Sequence, residues 1–389
     1  MAVKLIVEGF DRFGGKHCET ASLKKTLDFH GLHLSEEMLL GLGGGAGFIY
    51  WHTKSMSSPF IGVRQGKVAE ILVTACRRIG AAATVLETGS PGKGHEQLIG
   101  MLKEGNPAIC YGDLAFLPYF PVPETSHFGG HAFVVFGLDE EEDKVYVSDR
   151  ARKPVIISVA ELQKARASPF KPFPPKNRLL SVGYPRKVIA LDSGIREAVK
   201  ECCAGMLTPP ISNMGLPGIK KWAGLVMKWA EHFSAYELLT YLINTYIYTG
   251  EIGGTGGNAF RTMYAGFLEE AGLILNKPLL KEVAGVLREA GSIWAEIGAA
   301  ALPENQPALR LMRELLTRRY HVFREQGNEA MPEVQEIGVR IKDEVERAVA
   351  ELQNNGATLL LQGLKQKILE CHAVEEKAFR LLERVFTIN

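Results

Sequence analysis

The hydrophobic pattern changes its period once along the 389 residues of this chain, and that change restricts the fold more than any other feature. Before about residue 190, apolar residues come in short runs broken by Gly, Pro and charged turns. After Ser193 they recur every three to four positions over 194–206, 219–249, 258–275, 278–299, 306–325 and 332–385, the period of helices packed along one face. Residues 168–185, SPFKPFPPKNRLLSVGYP, lie between the two regimes and hold five prolines. Proline lacks an N–H and fixes φ, so this stretch reads as a loop or linker. A chain of this length fits two domains at ~100–200 residues each. The expected fold class is α+β, with a mixed domain over 1–190 and an all-α domain over 191–389.

Within the first half, Cys18 to His30 has helical spacing with Gly31 as its stop. Ser35 caps a second short helix with Glu36 and Glu37 in its first turn. Helices are expected over 66–79 and 96–103, and short strands at 84–86 and 108–111. Ala132 to Gly137, an acidic turn and Val145-Tyr146-Val147 form a hairpin signature, and 154–159 offers one more strand.

Composition removes several classes of function. Hydrophobic residues make up 46 %, enough for real cores, so a disordered chain is excluded. Lys+Arg 45 against Asp+Glu 44 leaves a net charge of +1 without a basic stripe, which argues against nucleic acid as a partner. No stretch reaches ~18 apolar residues without a charge, so no membrane partner is expected. The N-terminal segment does not have the form of a signal peptide, and six cysteines without a repeated spacing fit a reducing compartment. The expected location is the cytoplasm.

Most of the motifs carry plain structural readings. Gly41 to Ala46 matches a dinucleotide fingerprint in letters, but a helix precedes it and a strand-like Phe48 to Trp51 follows, the reverse of what that fingerprint needs. Gly89 to Gly94 lacks phosphate-loop spacing and reads as a surface turn, and Gly253 to Gly257 reads as a connector between helices. His30, His33 and the Cys371-His372 pair lack partners at metal-ligand spacing, so neither metal nor cofactor is expected.

Cys18 is different. It stands where a helix begins, after a glycine turn, and the helix N-terminus favours a thiolate there. A nucleophilic thiol needs a base, and the base needs an orienting group. His131 opens one strand of the expected hairpin and Asp149 ends its partner, which places both at one end of the sheet. Cys18, His131 and Asp149 can therefore form a Cys-His-Asp arrangement. The same three residues are also compatible with a buried Cys, a capping His and a turn Asp.

The stretch HCETASLKKTLDFHGLHLSEEMLLGLGGGAGFIYW resembles the N-terminal domain of the butirosin biosynthesis protein H family, as do PAICYGDLAFLPY and GGHAFVVFGLDEEEDKVYVSDRA. Beyond residue ~190, GGTGGNAFRTMYAGFLEEAG resembles the helical domain of unknown function that follows it in that family. That N-terminal domain is similar to papain-like cysteine peptidases, which implies a papain-like catalytic half with Cys18 as nucleophile, His131 as base and Asp149 as orienting acid. Such enzymes usually carry a Gln shortly before the Cys as an oxyanion donor, and residues 10–17 contain none. The resemblance then leaves that role to the Cys18 N–H, with Arg12 or His17 as second donor.

The namesake moves an acyl group from a carrier-protein thioester to an aminoglycoside amine. The resemblance thus implies an acyltransferase of secondary metabolism acting on a small-molecule amine, with an acyl carrier protein as donor partner. The alternatives are a cysteine peptidase or amidase on the same triad, with a peptide substrate, and a binding protein that kept the fold without catalysis. The helical half is expected as a lid, an acceptor platform or a homodimer face. The loop at 253–257, with Arg261 and Tyr264 behind it, is expected to reach the Cys18 site. Asp113 and the loop from Phe116 to Phe128, Tyr119 included, are expected to line the cleft.

Overall fold

Two segments cross the division that the change of period suggests. The computed structural model describes residues 2–52, 59–120, 122, 126–354 and 357–387. The chain packs into two compact units: unit 1 is 1–39, 67–189 and 318–339, and unit 2 is 40–66, 190–317 and 340–389. The expected boundary at 190 is one of the points where the chain changes unit, but 40–66 packs with the helical unit and 318–339 with the sheet unit. An amphipathic pattern says that a segment has a face to bury, not which layer buries it.

In chain order the elements are β1 (Lys4–Ile6), α1 (Cys18–Phe29), α2 (Glu36–Gly43), β2 (Ala46–Trp51), β3 (Phe60–Arg64), α3 (Glu70–Ile79), β4 (Ala82–Leu86), α4 (Pro91–Lys103), β5 (Ala108–Gly112), β6 (His131–Asp139), β7 (Lys144–Ser148), β8 (Val155–Ile157), α5 (Val159–Arg166) and β9 (Leu179–Gly183). The helical series follows as α6 (Asp192–Leu207), α7 (Gly215–Val226), α8 (Trp229–His232), α9 (Ala235–Thr249), α10 (Arg261–Ile274), α11 (Leu279–Ala301), α12 (Pro307–Gln326), α13 (Met331–Asn354) and α14 (Ala357–Thr387).

Unit 1 is built on an antiparallel sheet in the order β4-β9-β5-β6-β7-β8, with β1 also beside β6. β6 is nine residues long, HAFVVFGLD, and buried throughout. β5 pairs with its first half, Gly112 opposite His131, while β1 pairs with its last residues, Lys4 opposite Asp139. A strand covered on both faces reads as a continuous apolar run, which is the pattern of these residues. α1 packs on this strand and on β5, and its Leu23 and Leu27 are fully buried. Each such leucine contributes roughly 1.5–3 kcal/mol by leaving water.

Three elements differ from the sequence reading. The segment 168–185 is not only a loop: Leu179–Gly183 pairs with β4 and with Ile109 and Cys110 of β5 in the middle of the sheet. Its Leu179, Leu180 and Val182 lie at the end of the proline cluster, and long-range pairing overrides that local signal. α5 arises where a strand end was expected, because Ser158 and Glu161 form a reciprocal capping box. Ser90 caps α4, so the expected surface turn at 89–94 is in large part the first turn of a helix with Pro91 at its start.

Unit 2 holds the β2–β3 hairpin and most of the later helices. Its core centres on α11 between α10 and α14, where Trp222 and Trp294 stack with centroids 5.9 Å apart and Phe48 lies against both. The expected single helix over 219–249 is three, and the last of them is opened by the capping box of Ser234 with Glu237. The expected helix over 332–385 is α13 and α14; residues 355 and 356 between them lie outside the described residues. No described helix is long and apolar enough to cross a membrane.

Candidate active site around Cys18

The turn before α1 is set by glycine and by one buried carboxylate. Gly15 has φ +147°, and a Cβ there would lie 2.3 Å from the Ala21 Cβ, so only glycine lets the chain approach the helix this closely. The Glu36 carboxylate accepts the N–H groups of Lys16 (3.1 Å) and His17 (3.2 Å), fixing the residues that lead into the helix. His17 is the N-cap, with Thr20 N–H donating to its Nδ1 at 3.4 Å. Cys18 is then the first helical residue, and its N–H has no partner inside α1.

The β6–β7 hairpin delivers the other two candidates to the same place. Val134 pairs with Ser148, so His131 at the head of β6 and Asp149 just after β7 lie at one end of the ladder. His131 Nε2 and Asp149 Oδ2 are 2.7 Å apart, and the second carboxylate oxygen accepts the Arg150 N–H at 2.7 Å. With Nε2 engaged, the remaining ring nitrogen, Nδ1, is the one left for the Cys18 hydrogen bond. Lys25, buried on α1, donates to the carbonyl oxygens of Ser148 and Asp149 and so ties the helix to the Asp149 peptide. Cys18, His131 and Asp149 are thus brought together in unit 1.

The electrostatics follow from this packing. Burial alone would disfavour the Cys18 thiolate, but the His17 charge, the hydrogen bonds from His131 and His17 and the His131 charge outweigh it and hold the thiol well below its usual range. Burial disfavours the His131 imidazolium too, yet the Asp149 charge and hydrogen bond, with Cys18, raise it to about 9. Asp149 is held at about 2 against its own burial, chiefly by the charge and hydrogen bond of His131 and then by Arg150 and Lys25. The lowered thiol and the raised imidazole both favour a thiolate–imidazolium pair. The other five cysteines are buried, and desolvation pushes Cys76 and Cys202 up to about 12. Cys18 is the one thiol with partial exposure.

The remaining expected site residues divide. Tyr119 is buried, and that burial, with the Asp149 charge, strongly disfavours its ionisation. It supports the site from behind rather than lining a cleft. Asp113 is fully buried and consumed by structure: it accepts from Ser168 Oγ (2.6 Å), the Phe128 N–H (3.0 Å) and the Ala115 N–H (3.1 Å), and pairs with His127 at 2.9 Å. The Arg12 carbonyl accepts from Ser148 Oγ at 2.6 Å, but its guanidinium pairs with the adjacent Asp11 and faces a surface hollow of about 450 Å³ with Lys24, Asp28 and His33.

Arg261 and Tyr264 are fully buried in unit 2, which removes them from substrate binding. Arg261 holds Glu375 through two contacts (2.5 and 3.0 Å), donates to the carbonyls of Val63 and Ala259 and lies over the Trp294 ring. Tyr264 packs beside Gly45, Phe267 and Phe379. The loop 253–257 is bonded locally, with Thr255 Oγ1 donating to the Gly250 carbonyl at 2.7 Å. In the expected cleft loop 116–128, residues 121 and 123–125 lie outside the described residues.

Several neighbours were not singled out from the sequence. Phe120 sits edge-on to His131 with centroids 4.9 Å apart, and Phe323 of the 318–339 segment stacks on Tyr119 and contacts Phe120. Main-chain pairing of Arg152 with Arg324 (2.7 Å) fixes that segment beside the site residues. On the far side of Cys18, Glu19 is fully buried and anchored by the Tyr111 hydroxyl (2.9 Å) and the Ala69 N–H (2.7 Å). The capping position of His17 and the acid after Cys18 were visible as letters, but nothing local says that they fold back together.

Comparison with known proteins finds two family models that match the chain in succession. Residues 17–150 match the family model described as Butirosin biosynthesis protein H, N-terminal, a span that starts just before Cys18 and ends just after Asp149. Residues 160–317 match a domain of unknown function, DUF4872, and that match ends where the chain returns to unit 1 at Arg318. No curated protein matches the chain. The Cys18 site thus lies in the part of the chain that matches the butirosin biosynthesis protein H N-terminal model, and the match to the domain of unknown function follows it.

Proposed function

We propose that this protein is a cysteine-dependent acyltransferase of a biosynthetic pathway, moving an acyl group from a thioester to an amine. One observation carries the reading: the only partly exposed thiol of the chain stands at a helix N-terminus beside a histidine that a buried aspartate holds at 2.7 Å. In the first step the Cys18 thiolate attacks the carbonyl carbon of the donor thioester. A C–S bond forms and the carbonyl π pair moves onto oxygen. Collapse expels the donor thiolate, which takes a proton from the His131 imidazolium, leaving an acyl-Cys18 thioester. An amine then attacks this carbonyl and gives its proton to neutral His131, and the Cys18 thiolate departs. Asp149 keeps the ring oriented and stabilises its charged form without itself taking the proton.

The donor class is an acyl thioester, supplied by a carrier protein, and the acceptor class is a small-molecule amine, in keeping with the biosynthetic role in the family's name. The test is incubation with short acyl thioesters and a panel of amines, with mass spectrometry of Cys18 and of the products. An acyl adduct on Cys18 that resolves to amide supports transfer. Free acid as the sole product with every amine would make the protein a hydrolase. No adduct at all would remove Cys18 from the reaction.

A further inference from the structure

His131 is 4 % exposed although it heads a strand at the end of the sheet, where a side chain ordinarily stands open to water. Its cover is aromatic, and part of it comes from far along the chain. We propose that Phe323 is a positioning residue that sets the specificity of the reaction: through Phe120 it keeps water from His131, so that the acyl-enzyme goes to amine. This rests on the acyl-transfer reading and adds to it the residue that decides between amine and water.

The cover is built in layers. Phe120 and Phe133 both lie near the His131 ring, with centroids 4.9 and 6.2 Å away. Phe133 is a fully buried residue of β6, and the ladder to β5 fixes it. Phe120 lies outside every strand and helix, so side chains must hold its ring. Those against it are Tyr119 (4.9 Å), Phe323 (5.7 Å) and the Arg150 guanidinium (5.9 Å). Phe323 stacks flat on Tyr119, with 5.3 Å between centroids and 4° between planes, and both rings are buried. Tyr320, one turn before Phe323 on α12, meets the same Arg150 at 5.6 Å. One face of α12 therefore closes over the ring that closes over the base.

The segment that carries Phe323 is registered on the stretch that follows Asp149. The Arg152 N–H donates to the Arg324 carbonyl at 2.7 Å, and the Ile156 N–H donates to Asn328 Oδ1 at 3.4 Å. Gly327, with φ +57°, comes so close that a Cβ there would lie 3.1 Å from the Lys153 carbonyl oxygen. The exposed pairs Arg152–Glu325 and Lys153–Glu329 add little by themselves. Main-chain contacts thus tie the Phe323 ring to the strand end that also carries the acid of the site.

After acylation His131 is neutral, and a water that reached it would be deprotonated as it attacked the acyl carbon. An O–C bond would form, the proton would pass to His131 and the C–S bond would break. Free acid would leave, with Cys18 again a thiolate. Water outnumbers any amine, so its exclusion decides the product. Removing the Phe323 ring leaves space into which Phe120 can retreat, and that retreat uncovers the imidazole.

The experiment reads the ratio of amide to free acid made by the full chain from a short acyl thioester and one amine at fixed concentrations. In Phe323→Ala the ratio should fall on the order of 10-fold. Phe323→Leu refills most of the volume, so its ratio should fall less, and it carries the test if Phe323→Ala does not fold. Val334→Ala is the control: Val334 is a fully buried residue of the same 318–339 segment and no part of the ring stack. It should loosen the segment and leave the ratio at the wild-type value. A wild-type ratio in the Phe323 variants would overturn the assignment, and so would a fall in Val334→Ala as large as in Phe323→Ala. A wild type that gives free acid with every amine would overturn the acyl-transfer reading itself, before any variant is compared.

Discussion

Replacing Asp149 with Asn tests whether the charge behind His131 controls the site. His131 sits at about 9 rather than 6.5 although burial acts in the other direction, and the Asp149 charge is the largest opposing influence. At about 1.4 kcal/mol per pH unit, the net preference for the imidazolium is about 3 kcal/mol. The depressed Asp149 carboxyl is the same contact seen from its other end, so the two shifts are not added. In Asp149→Asn the amide keeps the shape and the contact with the Arg150 N–H but removes the negative charge. Burial is then opposed only by Cys18, and His131 should titrate at least two units lower, measured by NMR of ¹³C-labelled histidine with His131→Gln to assign the resonance. Acyl transfer should fall on the order of 10³–10⁴-fold, as when the acid of a triad is neutralised.

Stability carries a second readout with a definite sign. The raised His131 contributes stability that is full below its unfolded value of 6.5 and lost as pH rises through about 9. The lowered Asp149 contributes stability that is present above 3.8 and lost as pH falls through about 2. The difference in urea stability between wild type and Asp149→Asn should therefore be widest between pH 3.8 and 6.5 and narrow toward 9. A His131 resonance that titrates at the same pH in both proteins would refute the electrostatic argument, whatever happened to the rate.

Three further outcomes are expected. Cys18→Ser should abolish the acyl adduct while moving the urea stability by no more than about 1 kcal/mol, because the side chain is small and only partly buried. Glu375→Gln strands the fully buried Arg261 guanidinium and should cost about 3–5 kcal/mol in equilibrium unfolding, most of it recovered by Arg261→Met with Glu375→Leu. Burial lowers Lys25 from 10.5 to about 8, so between those values the unfolded chain holds a proton that the folded chain does not, and stability gains with rising pH. Lys25→Met should flatten that part of the stability–pH curve, and a slope equal to wild type would show that Lys25 keeps an ordinary ammonium.

The sequence marked the three central candidates because their placement is local in character. Cys18 follows a glycine turn at a helix start, and His131 and Asp149 are 18 residues apart on one hairpin whose alternation and acidic turn are plain in the letters. It misplaced Arg261, Tyr264 and Asp113 because an Arg, a Tyr or an Asp near a loop looks the same whether it meets substrate or a buried partner. The partner of Arg261 is 114 residues away, and the hydroxyl bonded to Asp113 is 55 residues away. Glu19, Tyr111 and Lys25 were overlooked for the same reason, since the hydrogen bonds that anchor them span 50 residues or more.

By itself, then, the sequence determined the α+β half, the helical half and the chain positions that can carry thiol chemistry, because hydrophobic period, caps and turn residues act over a few residues at a time. Tertiary structure alone decided that 40–66 joins the helices, that 318–339 stands behind Tyr119 and Phe120, and that Leu179–Gly183 completes the sheet. It also decided which buried charges find partners and which histidines close on Cys18. Those outcomes depend on the cost of burying a charge or an unpaired strand edge, and that cost is settled only when distant segments meet.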